Sequence, residues 1–268
     1  SVVIAGLMEH VEPAGIHSGD SACCLPSISL SQQTIDTVKK WTKLIANRLN
    51  VVGLINLQFA IRNHSNEENQ LFILEANPRA SRTIPFVSKA IGKPVAKLAT
   101  QLMQGSSLKD INFTKELIPK YQAVKEAVLP FKRFPGSDAL LGPEMRSTGE
   151  VMGLADNFGL AYAKSELAAG NGVPSEGVAF LSTNDLDKEK LEYIARELIV
   201  LGFKLVATKG TAKYLFNLGI EVDEVLKVHE GRPNIEDSIR SGLIQLVINT
   251  PVGSQALHDD AYLRRASL

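Results

Sequence analysis

Cysteine is scarce in this sequence. Only two cysteines occur among 268 residues, and they are direct neighbours, Cys23 and Cys24. Adjacent cysteines rarely meet the geometry of a structural disulfide, and two thiols are too few for a structural zinc site. The sequence therefore predicts a protein of a reducing compartment, the cytoplasm, whose thiols are buried or inert.

Net charge and long apolar runs are also missing. Lysine plus arginine and aspartate plus glutamate both number 29, so no net field attracts nucleic acid or an anionic membrane. No apolar run approaches the length that spans a bilayer. We therefore expect neither a nucleic-acid nor a membrane partner. The 268 residues are enough for two domains that each bury a core.

An apolar strand that ends in polar side chains is the most informative feature. Glu75 and Asn77 are two residues apart, so they share one face of the strand. Pro78 cannot donate to a sheet, which predicts that the strand ends there and opens into a loop. Arg79 and Arg82 follow, and their planar guanidinium groups suit phosphate or carboxylate oxygens. The pattern favours a Mg²⁺–phosphate site over a strand end with a surface salt bridge.

A second strand precedes this one. Residues 53–62 alternate between apolar and polar side chains, and the polar, turn-rich residues 63–69 follow. The two strands are therefore predicted to form an antiparallel hairpin. Gln58 would then lie beside Glu75 as another oxygen ligand. On its own, Gln58 would be interpreted as a solvated strand residue.

These residues resemble the metal-binding hairpin of ATP-grasp ligases, and the surrounding sequence is similar to the large, synthetase subunit of carbamoyl-phosphate synthetase. Four segments carry the resemblance: Glu9–Asp20, Asn77–Lys89, Val124–Gly136 and Leu141–Gly153. The Thr-Ile-Pro-Phe run at residues 83–86 resembles the second, carbamate-phosphorylating half of that subunit rather than its first half. The resemblance extends essentially from end to end. The chain begins inside an apparent apolar strand and finishes without a terminal cap or tail, so we expect a fragment. The resemblance implies that this fragment lacks the lid and the upstream half, and so is inactive alone.

The resemblance implies specific roles for the site residues. Glu75 would bridge two divalent metals, with Asn77 and Gln58 completing their shells. Arg79 and Arg82 would be catalytic, acting on the transferred phosphoryl group or the carbamate. The residues that match nucleotide contacts, besides Gln58 and Glu75, are Gly15, Ile16, His17 and Ser18. The residues that match the acidic site for the activator ornithine are Glu12, Asp20 and Glu126.

The fold class predicted is α/β and α+β, in three parts. Residues 1–104 would form the ATP-grasp core lobe, an antiparallel sheet with helices, beginning in a strand at Val2–Ala5. Residues 105–170, rich in proline and glycine, would form a packed connecting region. Residues 171–268 would form a Rossmann-like parallel-sheet domain, which in the family is the methylglyoxal-synthase-like allosteric domain. The helices predicted in the first two parts are 31–49, capped by Ser31, then 95–103 after Pro94, and 157–169.

Strands and helices alternate in the last part of the chain. Strands are predicted at 177–182, 203–208 and 243–249, and helices at 187–201 and 211–218. The segment 207–211 ends a strand and opens a helix, an arrangement that binds anions or forms an ordinary tight turn. The resemblance favours phosphate. The residues then implied in an allosteric nucleotide site are Lys188, Thr208, Gly210, Thr211, Lys227 and Asn249. Residues 250–254 depart from the family pattern.

The function implied by the resemblance is part of a glutamine-hydrolysing carbamoyl-phosphate synthase. The cofactors implied are ATP, Mg²⁺ or Mn²⁺, and K⁺. The partners implied are the glutaminase subunit, carbamate, an effector nucleotide of the UMP or IMP type, ornithine, and further copies in an oligomer. The product would enter pyrimidine and arginine synthesis. Two alternatives stay open: another ATP-grasp ligase such as biotin carboxylase, and a nucleotide-binding module that only regulates.

Overall fold

The computed structural model describes residues 1–62, 70–134 and 138–268, without the side chains of residues 254 and 255. The predicted hairpin turn at 63–69 lies outside the described residues. The chain divides into two compact units. Unit 1 comprises Ser1–Leu129 and Leu141–Asn171, and unit 2 comprises Pro130–Leu140 and Gly172–Leu268.

Within its described residues, unit 1 contains two antiparallel sheets and four helices. Its strands are β1 (Glu9–His10), β2 (Cys23–Leu25), β3 (Asn56–Arg62), β4 (Gln70–Asn77), β5 (Gln122–Val128) and β6 (Gly149–Ala155). Its helices are α1 (Gln32–Arg48), α2 (Thr83–Ile91), α3 (Val95–Met103) and α4 (Phe158–Ala169). The larger sheet has the order β1-β2-β5-β6, and β3 pairs with β4 in a separate hairpin. Residues 105–170 therefore contribute two strands and a helix to unit 1.

Side-chain caps explain where two of these helices begin. The Ser31 hydroxyl accepts from the Thr34 N–H at 3.2 Å, and the Asn157 carbonyl oxygen accepts from the Leu160 N–H at 3.0 Å. In both caps the acceptor is a side-chain oxygen, the Ser31 hydroxyl or the Asn157 amide oxygen, and it satisfies a backbone donor that has no partner within its helix. The predicted helices at 31–49 and 157–169 are confirmed. The predicted strand at residues 2–5 is wrong, because residues 1–8 have no regular structure.

Helix α4 lies unusually close to the sheet at Gly153 in β6. A Cβ at this position would lie 1.9 Å from the Ala161 carbonyl oxygen and 2.7 Å from the Ser165 nitrogen. Only glycine permits this approach, since both atoms belong to the backbone of α4. The contact brings Ala161 against Cys24 and Val124, and all three are fully buried.

Unit 2 is built on a parallel sheet. Its strands are β7 (Gly177–Thr183), β8 (Phe203–Ala207), β9 (Asp223–Glu224) and β10 (Leu246–Thr250), in the order β10-β7-β8-β9. Its helices are α5 (Lys188–Val200), α6 (Lys209–Asn217), α7 (Ile235–Arg240) and α8 (Ser254–Ser267). Every strand pair is parallel. The predicted combination of an antiparallel sheet with helices and a parallel-sheet domain is confirmed.

Two predicted boundaries in unit 2 are wrong. Helix α6 begins at Lys209 rather than Thr211, because Gly210 is accommodated in its first turn. Strand β10 begins at Leu246 rather than Leu243, because the parallel pairing with β7 starts with Leu246 opposite Ala179. The core forms where the strands face α5 and α6, and its fully buried side chains include Leu181, Leu191 and Leu215. Such apolar strands are typical of parallel sheets covered by helices.

Both cysteines are free and buried. Burial raises the pKa of Cys23 to about 12 and that of Cys24 to about 11, so neither is a thiolate at neutral pH. The prediction of buried, inert thiols is confirmed. Within the three described ranges, no helix has the length and apolar character that crossing a membrane requires.

The close approach at Gly153 makes a substitution there testable. We expect Gly153→Ala to lower the free energy of unfolding of unit 1 by on the order of 1–3 kcal/mol, because the new Cβ overlaps the α4 backbone. Urea unfolding followed by the fluorescence of Trp41, the single tryptophan, measures the change. The matched control is Gly149→Ala in the same strand, whose Cβ would meet only Val128 at 3.8 Å. Equal effects of the two substitutions would contradict this packing.

Candidate functional sites

The β3–β4 hairpin places the expected metal-binding side chains opposite one another. Gln58 is the pairing partner of Glu75, and Asn56 is the partner of Asn77. The register shifts between Gln58 and Phe59, directly beside this group. Such bulges re-aim side chains and are frequent next to active sites. The predicted antiparallel hairpin is confirmed, and it aligns one carboxylate with three amides.

The donor chemistry of this hairpin fits Mg²⁺ held partly by phosphates. Glu75 is exposed, whereas Asn77 is half-buried and its amide nitrogen has no hydrogen-bond partner among the described residues. No group of three or more His, Cys, Asp or Glu side chains in the described part of the chain could hold a metal. A single carboxylate with amide oxygens suits a cation that takes its remaining ligands from substrate phosphates and water.

The two arginines lead directly into a helix. The Arg79 N–H donates to the Asn77 carbonyl at 2.8 Å, which turns the chain sharply after the strand. Arg82 directly precedes α2, and its guanidinium donates to the Ser147 hydroxyl at 3.4 Å. The sequence predicted a loop after Pro78 and missed this helix start. A helix N-terminus adds free N–H groups and a favourable dipole for an anion.

The expected nucleotide segment, residues 15–18, has a defined backbone shape. Gly15 has φ +115°, a conformation that glycine adopts without strain, and Ala14 and Ile16 form a β-bridge around it. The His17 N–H donates to the Gly142 carbonyl at 2.8 Å, and His17 Nδ1 accepts from the Gly19 N–H at 3.0 Å. The His17 backbone is therefore held by residue 142, and its imidazole by the backbone N–H of Gly19.

Lys125 in β5 also holds this segment. Its side chain has 0% exposure, and its ammonium group donates to the carbonyls of Ser18 at 3.2 Å and Gly19 at 3.4 Å. Glu150 lies 3.8 Å away and supplies the opposing charge. The sequence analysis missed Lys125. Its neighbour Glu126 was singled out, but a lysine within an otherwise apolar strand was itself a signal of a buried charge.

The three acidic residues expected in one ornithine site have different hydrogen-bond partners. Asp20 is 1% exposed and accepts from the backbone N–H groups of Arg146 at 2.7 Å and Ser147 at 2.9 Å. Burial acts to raise the pKa of Asp20, but these hydrogen bonds outweigh it, and the pKa is lowered. Asp20 thus clamps the loop that contains Arg146 and Ser147.

Glu12 and Glu126 form a separate acidic pair. Burial raises the pKa of both carboxyl groups, and that of Glu126 reaches about 7, with further repulsion from Glu166 and Glu12. Glu126 is 6% exposed, and its Oε2 has no hydrogen-bond partner within the described chain. Burial and Glu166 also raise the pKa of Tyr162. The sequence analysis missed Glu166 and Tyr162, which α4 contributes.

The six residues expected to bind an effector nucleotide line one cavity in unit 2, of about 410 Å³. The cavity opens where β7, β8 and β10 end, since Thr183, Thr208 and Thr250 all belong to its lining. The carboxyl ends of neighbouring parallel strands are where ligands bind in open α/β sheets. The six residues are Lys188, Thr208, Gly210, Thr211, Lys227 and Asn249. We name this the unit 2 cavity.

The side chains of this cavity differ in how far they are already engaged. Thr211 is 2% exposed, and its hydroxyl accepts from the Thr183 N–H at 3.2 Å, so it also joins α6 to β7. Lys188 is paired with Asp185. Two other lining residues are paired with each other: His229 Nδ1 lies 2.6 Å from Asp259 Oδ2, a pair that the sequence analysis missed.

Known families match both parts of the chain. Residues 1–111 match the family described as the carbamoyl-phosphate synthase L chain, ATP binding domain, and residues 190–268 match the MGS-like domain. The chain is 56% identical to the carbamoyl phosphate synthase large chain of Nostoc sp. over 267 residues, which is 100% of this chain and 24% of that protein.

Other relatives give the same result. Identity is 52% over 268 residues to the carbamoyl phosphate synthase large chain of Archaeoglobus fulgidus, covering 100% of this chain and 24% of the relative. The chain is also 53% identical over 269 residues to the carbamoyl phosphate synthase arginine-specific large chain, chloroplastic, of Oryza sativa. This match covers 100% of this chain and 23% of the relative. The chain spans about a quarter of the length of these relatives. Because the matches extend over the whole chain, it belongs to the carbamoyl phosphate synthase large chain family.

Proposed function

We propose that the protein containing this chain is a ligase that uses ATP and Mg²⁺ to phosphorylate carbamate to carbamoyl phosphate. The γ-phosphoryl group leaves ADP as its bond to the bridging oxygen breaks, and a new P–O bond forms to a carbamate oxygen. The hairpin register carries the proposal. Glu75 lies opposite Gln58 and Asn77 opposite Asn56, in the stretch that matches the ATP binding domain.

The residues of unit 1 divide the work of positioning and charge neutralisation. Glu75, Gln58 and Asn77 would hold Mg²⁺, which, when bound, neutralises phosphate charge and orients the transferred group. Arg79 and Arg82 offer guanidinium groups to the phosphoryl or carbamate oxygens at the N-terminus of α2. Gly15, Ile16, His17 and Ser18 form the fixed segment proposed to contact the nucleotide. Mn²⁺ in place of Mg²⁺, and K⁺, belong to the same proposal.

Unit 2 is proposed to bind the effector nucleotide. A monophosphate of the UMP or IMP type carries an anion that the α6 N-terminus, Thr208, Lys188 and Lys227 can receive. Pro251 and Val252 also line the cavity and have no side-chain donor. Specificity for the base would therefore depend on other lining residues, such as Asn249.

The acidic pair of half-buried Glu12 and buried Glu126 is proposed to bind an ammonium group, as in ornithine. An unpartnered carboxyl oxygen of Glu126, close enough to Glu12 and Glu166 to be repelled by them, would be stabilised by a cation. Asp20 would support this site through the loop it clamps rather than by direct contact. The remaining proposals are the glutaminase subunit as partner, an oligomer of the intact enzyme, a role in pyrimidine and arginine synthesis, and a cytoplasmic location.

The metal-binding role of Glu75 is tested in the intact protein. Glu75→Gln should lower ATP formation from ADP and carbamoyl phosphate by on the order of a hundredfold or more, because a metal-bound carboxylate is lost. Bicarbonate-dependent ATP hydrolysis, assigned to the other half of the enzyme, should persist. The control is Glu116→Gln, which removes a surface ion pair to Lys39 and should leave the rate within about twofold. Full activity of Glu75→Gln would favour a purely regulatory nucleotide module.

The effector role of the unit 2 cavity is tested by calorimetry with UMP and IMP. Lys227→Ala should weaken binding by about tenfold or more, because a charge-assisted hydrogen bond to the phosphate is lost. Lys213→Ala is the matched control, since Lys213 is exposed on α6 and does not line the cavity. An equal effect of both substitutions, or no binding by the unaltered protein at millimolar concentration, would refute the assignment.

The acidic pair predicts a pH-dependent stability. The pKa of Glu126 is raised to about 7 in the folded state, so between about pH 4.5 and pH 7 the folded state binds more protons than the unfolded state. This group therefore lowers stability as pH rises through that window. Glu126→Gln removes the penalty and should be more stable than the unaltered protein at pH 8, by up to about 3 kcal/mol. The difference should vanish below about pH 4.5.

Urea unfolding followed by Trp41 fluorescence from pH 4.5 to pH 8 measures this difference. Glu116→Gln again serves as the control, because Glu116 is a partly exposed surface residue paired with Lys39. At pH 8, ornithine should stabilise the unaltered protein and have little effect on Glu126→Gln. A pH-independent difference between the two proteins would show that Glu126 is not a buried, titrating carboxyl group.

A further inference from the structure

A short segment of unit 2 interrupts unit 1 in the sequence. The described residues 130–134 and 138–140 belong to unit 2, although the residues before and after this segment belong to unit 1. Before it comes β5, which contains Lys125 and Glu126. After it comes the Gly142 carbonyl, which accepts from the His17 N–H at 2.8 Å. The segment therefore joins, through the covalent chain, the two pieces of backbone that hold the proposed nucleotide segment.

Asp138 anchors this segment within unit 2. Both of its carboxyl oxygens accept from the Arg264 guanidinium, from Nε at 2.7 Å and from Nη2 at 2.8 Å. This is a bidentate pair, the geometry in which arginine binds carboxylates most strongly. The hydrogen bond from Arg264 lowers the pKa of Asp138 to about 2, so the pair is charged throughout the neutral range. The Asp138 side chain is 29% exposed and the Arg264 side chain 25% exposed, so both are partly shielded from water.

Arg264 also reaches the unit 2 cavity. Its Nη1 is paired with Asp260, one turn earlier on α8. The other oxygen of Asp260 accepts from the Asn249 amide at 2.7 Å, and Asn249 lines the cavity. Since one amide hydrogen of Asn249 is engaged by Asp260, the orientation of the amide depends on where α8 holds that carboxylate. Four side chains thus connect the cavity to the inserted segment without interruption.

We propose that the chain Asn249–Asp260–Arg264–Asp138 couples effector binding to the nucleotide segment of unit 1. The proposal rests on the effector role of the unit 2 cavity. A ligand that engages Asn249 competes with Asp260 for its amide. Asp260 and Asp138 share one guanidinium, so a change at either carboxylate alters the hold on the other. Asp138 lies four residues before Gly142, whose carbonyl orients His17. Asp138 and Arg264 are positioning residues and touch neither ligand.

Coupling and binding are measured separately in the intact protein. Calorimetry with UMP and IMP gives effector affinity, and ATP affinity is measured with and without saturating effector. A coupled pair of sites changes ATP affinity by about 5- to 150-fold. In Asp138→Asn, effector affinity should stay within about twofold, whereas the effect of effector on ATP affinity should fall below about twofold. Arg264→Lys keeps the charge, loses the planar fork and should also reduce coupling.

The matched control is Glu192→Gln, which weakens another arginine–carboxylate fork in unit 2. Glu192 binds Arg196 at 2.9 and 3.0 Å within α5, apart from the four-residue chain. The Glu192→Gln protein should retain the full effect of effector on ATP affinity. Full coupling in Asp138→Asn or Arg264→Lys overturns the proposal, as does an equal loss in Glu192→Gln or a loss of effector affinity in Asp138→Asn. Absence of UMP and IMP binding by the unaltered protein would instead refute the effector cavity, and the coupling with it.

Discussion

The buried ammonium group of Lys125 is the interaction on which unit 1 depends. A charge with no exposure to water requires compensation, and here two backbone carbonyls and Glu150 provide it. The carbonyls belong to Ser18 and Gly19, so the compensation also determines the path of the proposed nucleotide segment. The same charge acts on its surroundings: after burial, Lys125 is the second cause that lowers the pKa of His10. Lys125 thus joins strand β5 to the loop at residues 18–19 and also changes the pKa of a neighbouring histidine.

The polar network of unit 1 grows outward from this point. Asp20 continues it by accepting from two N–H groups of the loop at 146–147, and the Ser147 hydroxyl in turn donates to the Gly19 carbonyl at 3.2 Å and accepts from Arg82 at 3.4 Å. Arg82, proposed to be catalytic, and the backbone that follows the proposed nucleotide segment are therefore joined through one hydroxyl. Such networks are rigid when fully satisfied. The unpartnered oxygen of Glu126 stands out against this background as the place where a cation would complete the pattern.

In unit 2 the proposed site depends on the topology of the sheet rather than on a buried charge. Its parallel strands end together, and the N-terminus of α6 lies at that edge, so the topology itself supplies the free N–H groups that the proposed anion site needs. Two further lining residues of the cavity are held by α8. His229 is held by Asp259 and Asn249 by Asp260, and both acidic residues lie on α8. The helix that closes the cavity is also the one that binds the inserted segment through Arg264.

Much of the architecture could be predicted because it is written in local patterns. Ser31 and Asn157 precede apolar helical stripes, and the residue types that end β4 made Glu75, Asn77 and the arginines recognisable before any coordinates. The alternation of short apolar strands with helices was enough for the parallel sheet. The start of α2 was missed although Pro85 in its first turn favours a helix, because Pro78 was interpreted as opening a loop.

The sequence by itself determined the hairpin, the helix caps and the parallel sheet, since period, capping and turn chemistry act within a few residues. It also determined the residue types of the proposed metal site and of the proposed effector site. Only the tertiary structure decided which polar groups meet. Lys125 and Ser18 are 107 residues apart, and Arg264 and Asp138 are 126 apart. The backbone donors of Asp20 likewise lie 126 and 127 residues along the chain. Packing selects those partners, because a buried charge must find compensation wherever the fold brings donors or acceptors within reach.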